Sequence, residues 1–136
     1  DAYLTKLKEL INKLGLSKKV IFTKPIYDVS EKIKKLDSAK IFVLPSFREA
    51  MPQALIEAMA REKIVISSIH RGSLELIENG KNGFLFNTYD SGDLADKINY
   101  VLLNQQKIKR MKKAAKRSVV QFSWKNVIKK IEKVIN

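Results

Sequence analysis

Two glutamates carry the chemistry that this sequence can do. Glu49 sits in a turn after the apolar run Ile41–Leu44, and Glu57 is the one polar residue between Ala54 and Ala60. An ionised carboxylate in so apolar a run must find hydrogen-bond donors, because burying it unpaired is very costly. Glu57 therefore either meets water at a helix edge or is bonded to something specific, and a vicinal diol offers two donors to one carboxylate. The turn from Glu49 to Pro52 presents backbone N–H groups at a helix N-terminus, where the macrodipole favours an anion such as a diphosphate. The plainer alternative makes both glutamates surface charges, with Glu57 pairing to Arg61 one turn later. His70 is the only histidine and cannot build a His-ligated metal site alone, and without cysteines there is neither a disulfide framework nor a thiolate site. His70 reads as structural or exposed. Arg71 reads as a solvated residue that also stands where a phosphate or acceptor could be met, and Glu75 as a brace for its own short helix.

The elements that position these residues follow from periodicity. Ile41–Leu44 has the β-branched and aromatic pattern of a strand buried on both faces, ended by Pro45 and Ser46. Pro52 suits the first helical position. Upstream, Leu4, Leu7, Leu10, Ile11 and Leu14 form one helical stripe over residues 3–14, closed by Gly15. Residues 20–23 read as a short strand and 24–28 as a loop. Asp28 with Glu31 reads as a capping box for a helix with Val29, Ile33 and Leu36 on its inner face. Further strands are expected at 64–67 and Phe84–Phe86, with a turn at 70–73, a short helix through Glu78, and the turn dipeptides Asn79-Gly80 and Asn82-Gly83 between them. Helices over 92–103, 106–120 and Trp124–Ile135 finish the chain, the last with Ser123 as N-cap. Strands alternating with helices predict an α/β fold with a Rossmann-like parallel β-sheet flanked by helices, as one domain over residues 1–136. In such sheets ligands bind beyond the carboxyl ends of the strands, where the loops 24–28, 46–51 and 68–73 emerge.

With 136 residues, 45% of them hydrophobic, the chain is long enough for one buried core. Its net charge is +13, and Lys107, Lys109, Arg110, Lys112, Lys113, Lys116 and Arg117 crowd one late segment. Such a surface suits an anionic membrane or a phosphorylated substrate, or simply Lys-rich solvated helix faces. Aromatic residues are not interleaved with these charges, which argues against nucleic acid. No apolar run approaches bilayer length and no signal peptide is visible. A cytoplasmic location is expected, peripheral at the inner membrane face if the basic segment engages lipid. The sequence opens in helical pattern without Met, as a fragment would.

The stretch PSFREAMPQALIEAMA, with Glu49 and Glu57 separated by seven residues, resembles the E-x7-E signature of retaining glycosyltransferases of the two-domain GT-B fold, the group often called family 4. The resemblance continues in the strand at 64–67, the turn Gly72–Glu75, the ENGKNGF turn, Asp90, Leu94-Ala95 and Phe122–Trp124, so it covers nearly the whole chain. It implies the C-terminal, donor-binding domain, with the acceptor-binding N-terminal domain and its pyrophosphate-neutralising Arg and Lys lying upstream. It implies a nucleotide-diphosphate sugar as donor and a glycan or lipid-linked acceptor. Glu49 would then contact donor-sugar hydroxyls beside the reacting carbon, and Glu57 the ribose diol. The amides of Ala50, Met51 and Gln53 around Pro52 would face sugar and phosphate, with Arg71 and Gly72 nearby. The loop at Pro25 and Ile26, with Tyr27, would meet the nucleobase, and Trp124 would anchor the final helix. No metal and no cofactor are expected; no Asp-x-Asp motif is present. Two alternatives stand beside this reading, a nucleotide-sugar epimerase of similar fold and a non-catalytic binding module held at a membrane surface. This sequence departs from the family pattern with Ala50-Met51-Pro52 in place of Gly-Phe-Gly, with Glu62 and Ile64 before and in the next strand, with Arg71 for the first of two glycines, and with Lys24 for Gly.

Overall fold

A computed structural model describes residues 2–135. Its contacts divide the chain into two compact units, Asp1–Lys32 and Ile33–Asn136.

The first unit holds helix α1 (Ala2–Lys13). It closes at Gly15, with the Gly15 N–H on the Asn12 carbonyl and the Leu16 N–H on the Ile11 carbonyl, the paired bonds that satisfy a helix C-terminus. Of its apolar stripe, Leu10 and Leu14 stay largely exposed. Residues 20–23, expected as a strand, form none. Val20, Ile21 and Phe22 are exposed there, and no described strand pairs with them. Strand propensity is local, but a strand exists only through a ladder to a neighbour. Asp28 accepts the Glu31 N–H at 2.8 Å and the Ser30 hydroxyl at 2.5 Å, so it caps helix α2 (Val29–Ser38), and these bonds hold its carboxyl below the usual range.

The second unit contains a parallel sheet in the order β1 (Ile41–Leu44), β2 (Ile64–Ser68), β3 (Phe84–Phe86), with Ile41 opposite Ile64 and Ile66 opposite Phe84. Helices α3 (Gln53–Ala60), α4 (Arg71–Leu76), α5 (Ser91–Leu103), α6 (Gln105–Val119) and α7 (Trp124–Ile135) complete it, with a 3-10 turn at Val120–Phe122. Alternation along the strands divides the core. Val65 and Leu85 pack on one face with Leu55, Ala58, Met59 and Ala115. Ile64, Ile66, Phe84 and Phe86 pack on the other with Val101, Ile108 and Met111. The expected α/β architecture is therefore present. β2 is fully buried, whereas β1 is only half-buried, as suits a strand whose single described neighbour is β2.

Several boundaries differ in informative ways. Pro52 is the N-cap of α3 rather than its first residue: its φ of −76° suits a helix, but its ψ of 94° is extended. α4 stops at Leu76 instead of running to Glu78, because Ile77 turns extended and the Asn82 side chain takes over, accepting the Glu78 N–H and donating to the Leu76 carbonyl. Of the two Asn-Gly turns only Gly80 uses positive φ. Val29, expected inside, is 63% exposed, while Leu36 packs against the core. α7 starts at Trp124 as expected, yet Trp124 is itself 81% exposed and gives the helix no buried anchor in this unit.

Among the described residues, two other than glycine occupy left-handed backbone, Glu62 (φ 56°) and Tyr89 (φ 69°). Such a conformation costs an L-residue about 1–2 kcal/mol. Glu62 ends α3 where glycine is the usual choice: its N–H meets the Met59 carbonyl and the Lys63 N–H the Ala58 carbonyl. Its carboxylate accepts from Lys116 at 2.9 Å, and that bond with the surrounding lysines holds its pKa low.

Candidate functional site

The carboxyl end of β1 feeds directly into the segment that carries Glu49. The Ser46 hydroxyl donates to Glu49 Oε1 at 2.8 Å and fixes the half-buried carboxylate from within its own turn. The next loop fastens this turn from the side. Ser68, the last residue of β2, donates its hydroxyl to the Ser46 carbonyl at 2.5 Å, and the Gly72 N–H donates to the Glu49 carbonyl at 3.0 Å. A Cβ on Gly72 would stand 2.7 Å from the carbonyl oxygens of Glu49 and Ala50 and 2.8 Å from Pro52 Cδ. Only glycine lets the two loops approach this closely.

That approach requires a rigid second loop, and its interior supplies one. His70 is buried and caps α4: Nδ1 accepts the Ser73 N–H at 3.2 Å while the Ser73 hydroxyl accepts the His70 N–H at 3.0 Å. An accepting Nδ1 assigns the ring proton to Nε2, which lies 3.4 Å from the Ser67 hydroxyl. His70 is thus a structural residue. Between the loops opens a cleft of roughly 440 Å³, lined by Phe47, Arg48, Glu49, Ala50, His70 and Arg71.

Behind the turn, α3 begins at Gln53, and the first N–H groups of any helix lack intrahelical partners. Ala50, Met51 and Gln53 are exposed and Pro52 is buried. Glu57 is half-buried, one turn along from Gln53 on the same face. Arg61, one turn further on, directs both Nε and Nη2 to the carboxylate of Asp37. That ion pair holds the Asp37 carboxyl low. Arg71 is 88% exposed and reaches Glu75 at 3.4 Å, so Glu75 braces α4 as expected.

The structure therefore brings Glu49, Ala50, Met51, Pro52, Gln53, Arg71 and Gly72 to neighbouring positions around one clamped turn, with Glu57 on the helix that follows. Ile26 belongs to the first unit, where it is half-buried beside an exposed Tyr27. Sequence reasoning missed Ser46 and Ser68; the only signal for the first was a hydroxyl three residues before Glu49. Among the described residues no three His, Cys, Asp or Glu side chains converge as metal ligands.

Comparison with known proteins places this geometry in context. Residues 1–118 match the family model described as glycosyl transferases group 1. A curated relative, the N,N'-diacetylbacillosaminyl-diphospho-undecaprenol alpha-1,3-N-acetylgalactosaminyltransferase of Campylobacter jejuni, is 31% identical over 99 residues, covering 73% of this chain and 26% of its own length. Anabaena HepE, solved in complex with UDP, superimposes with a TM-score of 0.90 at 26% identity, over 98% of this chain and 36% of its own. The C-terminal domain of the group 1 protein LpcC from Francisella tularensis shares the fold, with a TM-score of 0.80 at 24% identity over 88% of this chain and 62% of that one. The chain thus spans about a quarter of the length of the curated relative.

Proposed function

The chain belongs to the glycosyl transferases group 1 family, and from that premise we propose that residues 1–136 are the donor-binding domain of a retaining glycosyltransferase, with an acceptor-binding domain upstream. Its fold is that of the C-terminal half of the GT-B enzymes. The enzyme would move a sugar from a nucleotide-diphosphate sugar to a glycan or lipid-linked acceptor. The observation that carries this reading is the Glu49 carboxylate, bonded to Ser46 at the edge of a cleft, beside the start of a helix and beyond the carboxyl end of a parallel strand.

Each residue then has a physical task. The α3 N-terminus and the amides around Ala50 and Met51 stabilise the charge that gathers on the leaving diphosphate. Glu49 accepts hydrogen bonds from donor-sugar hydroxyls near the reacting carbon. Glu57 accepts the ribose diol. Arg71 stands free enough to meet phosphate or acceptor. Charge stabilisation in this scheme is left to dipoles, amides and cations of the upstream domain, without a metal. The UDP complex of HepE supports a nucleotide donor, and the diphospho-undecaprenol in the name of the Campylobacter relative supports a lipid-linked acceptor.

The basic helices favour a peripheral location at the cytoplasmic face of a membrane. Residues 104–136 carry eleven Lys and Arg against Glu132 alone, a net +10 out of the chain's +13. Among the described residues no helix is long and apolar enough to cross a bilayer. Sedimentation with anionic and neutral vesicles tests this location. Equal sedimentation with anionic and neutral vesicles, or none with either, would remove it.

The main reading is tested by NMR of the product formed by the complete protein from α-linked UDP-, GDP- and ADP-sugars with a panel of glycan and lipid-linked acceptors. A new α-linked glycoside supports retention; a β-linked product overturns it.

A further inference from the structure

We propose that Phe47 and Tyr89 form a stacking wall for a pyranose ring of the acceptor, in a second pocket beside the Glu49 cleft. This rests on the glycosyltransferase reading above and adds a binding site to it. The pocket, roughly 450 Å³, lies at the carboxyl ends of all three strands: Pro45 follows β1, Ser68 ends β2 and Phe86 ends β3. Phe47 lines both this pocket and the cleft of Glu49, which stands two residues further on.

Tyr89 is the residue that folding does not account for. Its backbone is left-handed, a conformation that an aromatic side chain disfavours, and yet its side chain gains almost no burial, being 85% exposed. What the position achieves is an aromatic pair: the Phe47 ring, 55% exposed, lies with its centroid 5.2 Å from that of Tyr89 at an angle of 49°. Strain kept at a strand end without a packing gain marks a binding surface. Two exposed aromatic rings, with Phe86 and Leu94 also lining the pocket, suit a ring with one apolar face. The rim adds Asp90 and Ser91 but no Lys or Arg, so it can accept hydroxyl protons and repels phosphate. A neutral sugar meets these conditions; a nucleoside diphosphate does not.

Saturation-transfer NMR of the complete protein with the methyl glycosides of glucose, galactose, mannose and N-acetylglucosamine tests the assignment, with UDP, GDP and ADP binding followed in parallel. Tyr89→Gly removes the ring while suiting the backbone, so its melting temperature should hold or rise. Its affinity for the bound glycoside should fall about tenfold, with nucleotide binding unchanged. Tyr89→Trp should keep the glycoside. The proposal is overturned if no glycoside binds the parent protein, if Tyr89→Gly binds it equally well, or if Tyr89→Gly loses nucleotide instead, which would give the wall to the donor. Glycoside binding without any nucleotide binding would sink the donor-site reading and leave this one standing.

Discussion

Ser46 donates a hydrogen bond of 2.8 Å to the carboxylate of Glu49, and its own carbonyl is held in turn by the Ser68 hydroxyl. The position of the central acidic group therefore depends on the end of the neighbouring strand as well as on its own turn.

Removing this hydroxyl should affect turnover more than donor binding. A hydrogen bond to a charged group contributes about 1.5–3 kcal/mol. In the complete enzyme Ser46→Ala should therefore lower kcat roughly tenfold or more while donor KM changes little, and Ser46→Thr should recover much of the loss. A change confined to KM in steady-state kinetics would assign Ser46 to ground-state binding.

Gly72→Ala should destabilise the fold. The added Cβ meets two carbonyl oxygens at 2.7 Å, and both belong to the turn it would have to push away. Overpacking of this kind costs about 1–3 kcal/mol, measurable as a lower urea midpoint at constant slope. An unchanged midpoint would mean that the two loops separate easily.

Leu55 is fully buried on the core face of α3, and Leu55→Ala should cost about 2–5 kcal/mol in the same urea experiment. Because α3 also carries Gln53 and Glu57, nucleotide affinity should fall together with stability.

Acid should weaken the fold through its paired carboxylates. Asp37 is held below its ordinary value of 3.8 by Arg61, and Glu62 below 4.5 by Lys116. Both pKa values are lower in the folded than in the unfolded chain. Their contribution is therefore complete above those ordinary values and is lost as pH falls through the folded ones. Urea midpoints measured downward from pH 6 should decline from about pH 4.5, and Asp37→Asn should flatten the part of the decline below 3.8. Because both pairs are solvent-exposed, added salt should reduce the effect.

Much of the fold was legible because its strands are apolar runs between clear turn residues, and α5, α6 and α7 begin within one residue of their expected starts. Residues 20–23 misled because β-branched and aromatic residues signal a strand whether or not a neighbour is there to pair with it. Pro52 was placed one position too far into its helix because its fixed φ serves the N-cap and the first turn equally, and ψ decides between them. The spacing of Glu49 and Glu57 pointed to the turn after β1 and to α3, the two elements that carry them in the structure. The Ser46 bond depends on a side-chain rotamer, however, and the left-handed Tyr89 depends on the turn in which the Asp90 N–H bonds the Asn87 carbonyl. Neither is written in residue type.

In the proposed donor complex the nucleotide sits with its ribose on Glu57. Calorimetric titration of the complete protein with UDP, GDP and ADP, beside a Glu57→Gln variant of equal stability, reads this contact. One nucleotide should bind, and the variant should bind it at least about tenfold more weakly, the loss of one charge-assisted hydrogen bond or more. Equal affinity in the variant, or no binding of any nucleotide to the parent protein, would contradict it.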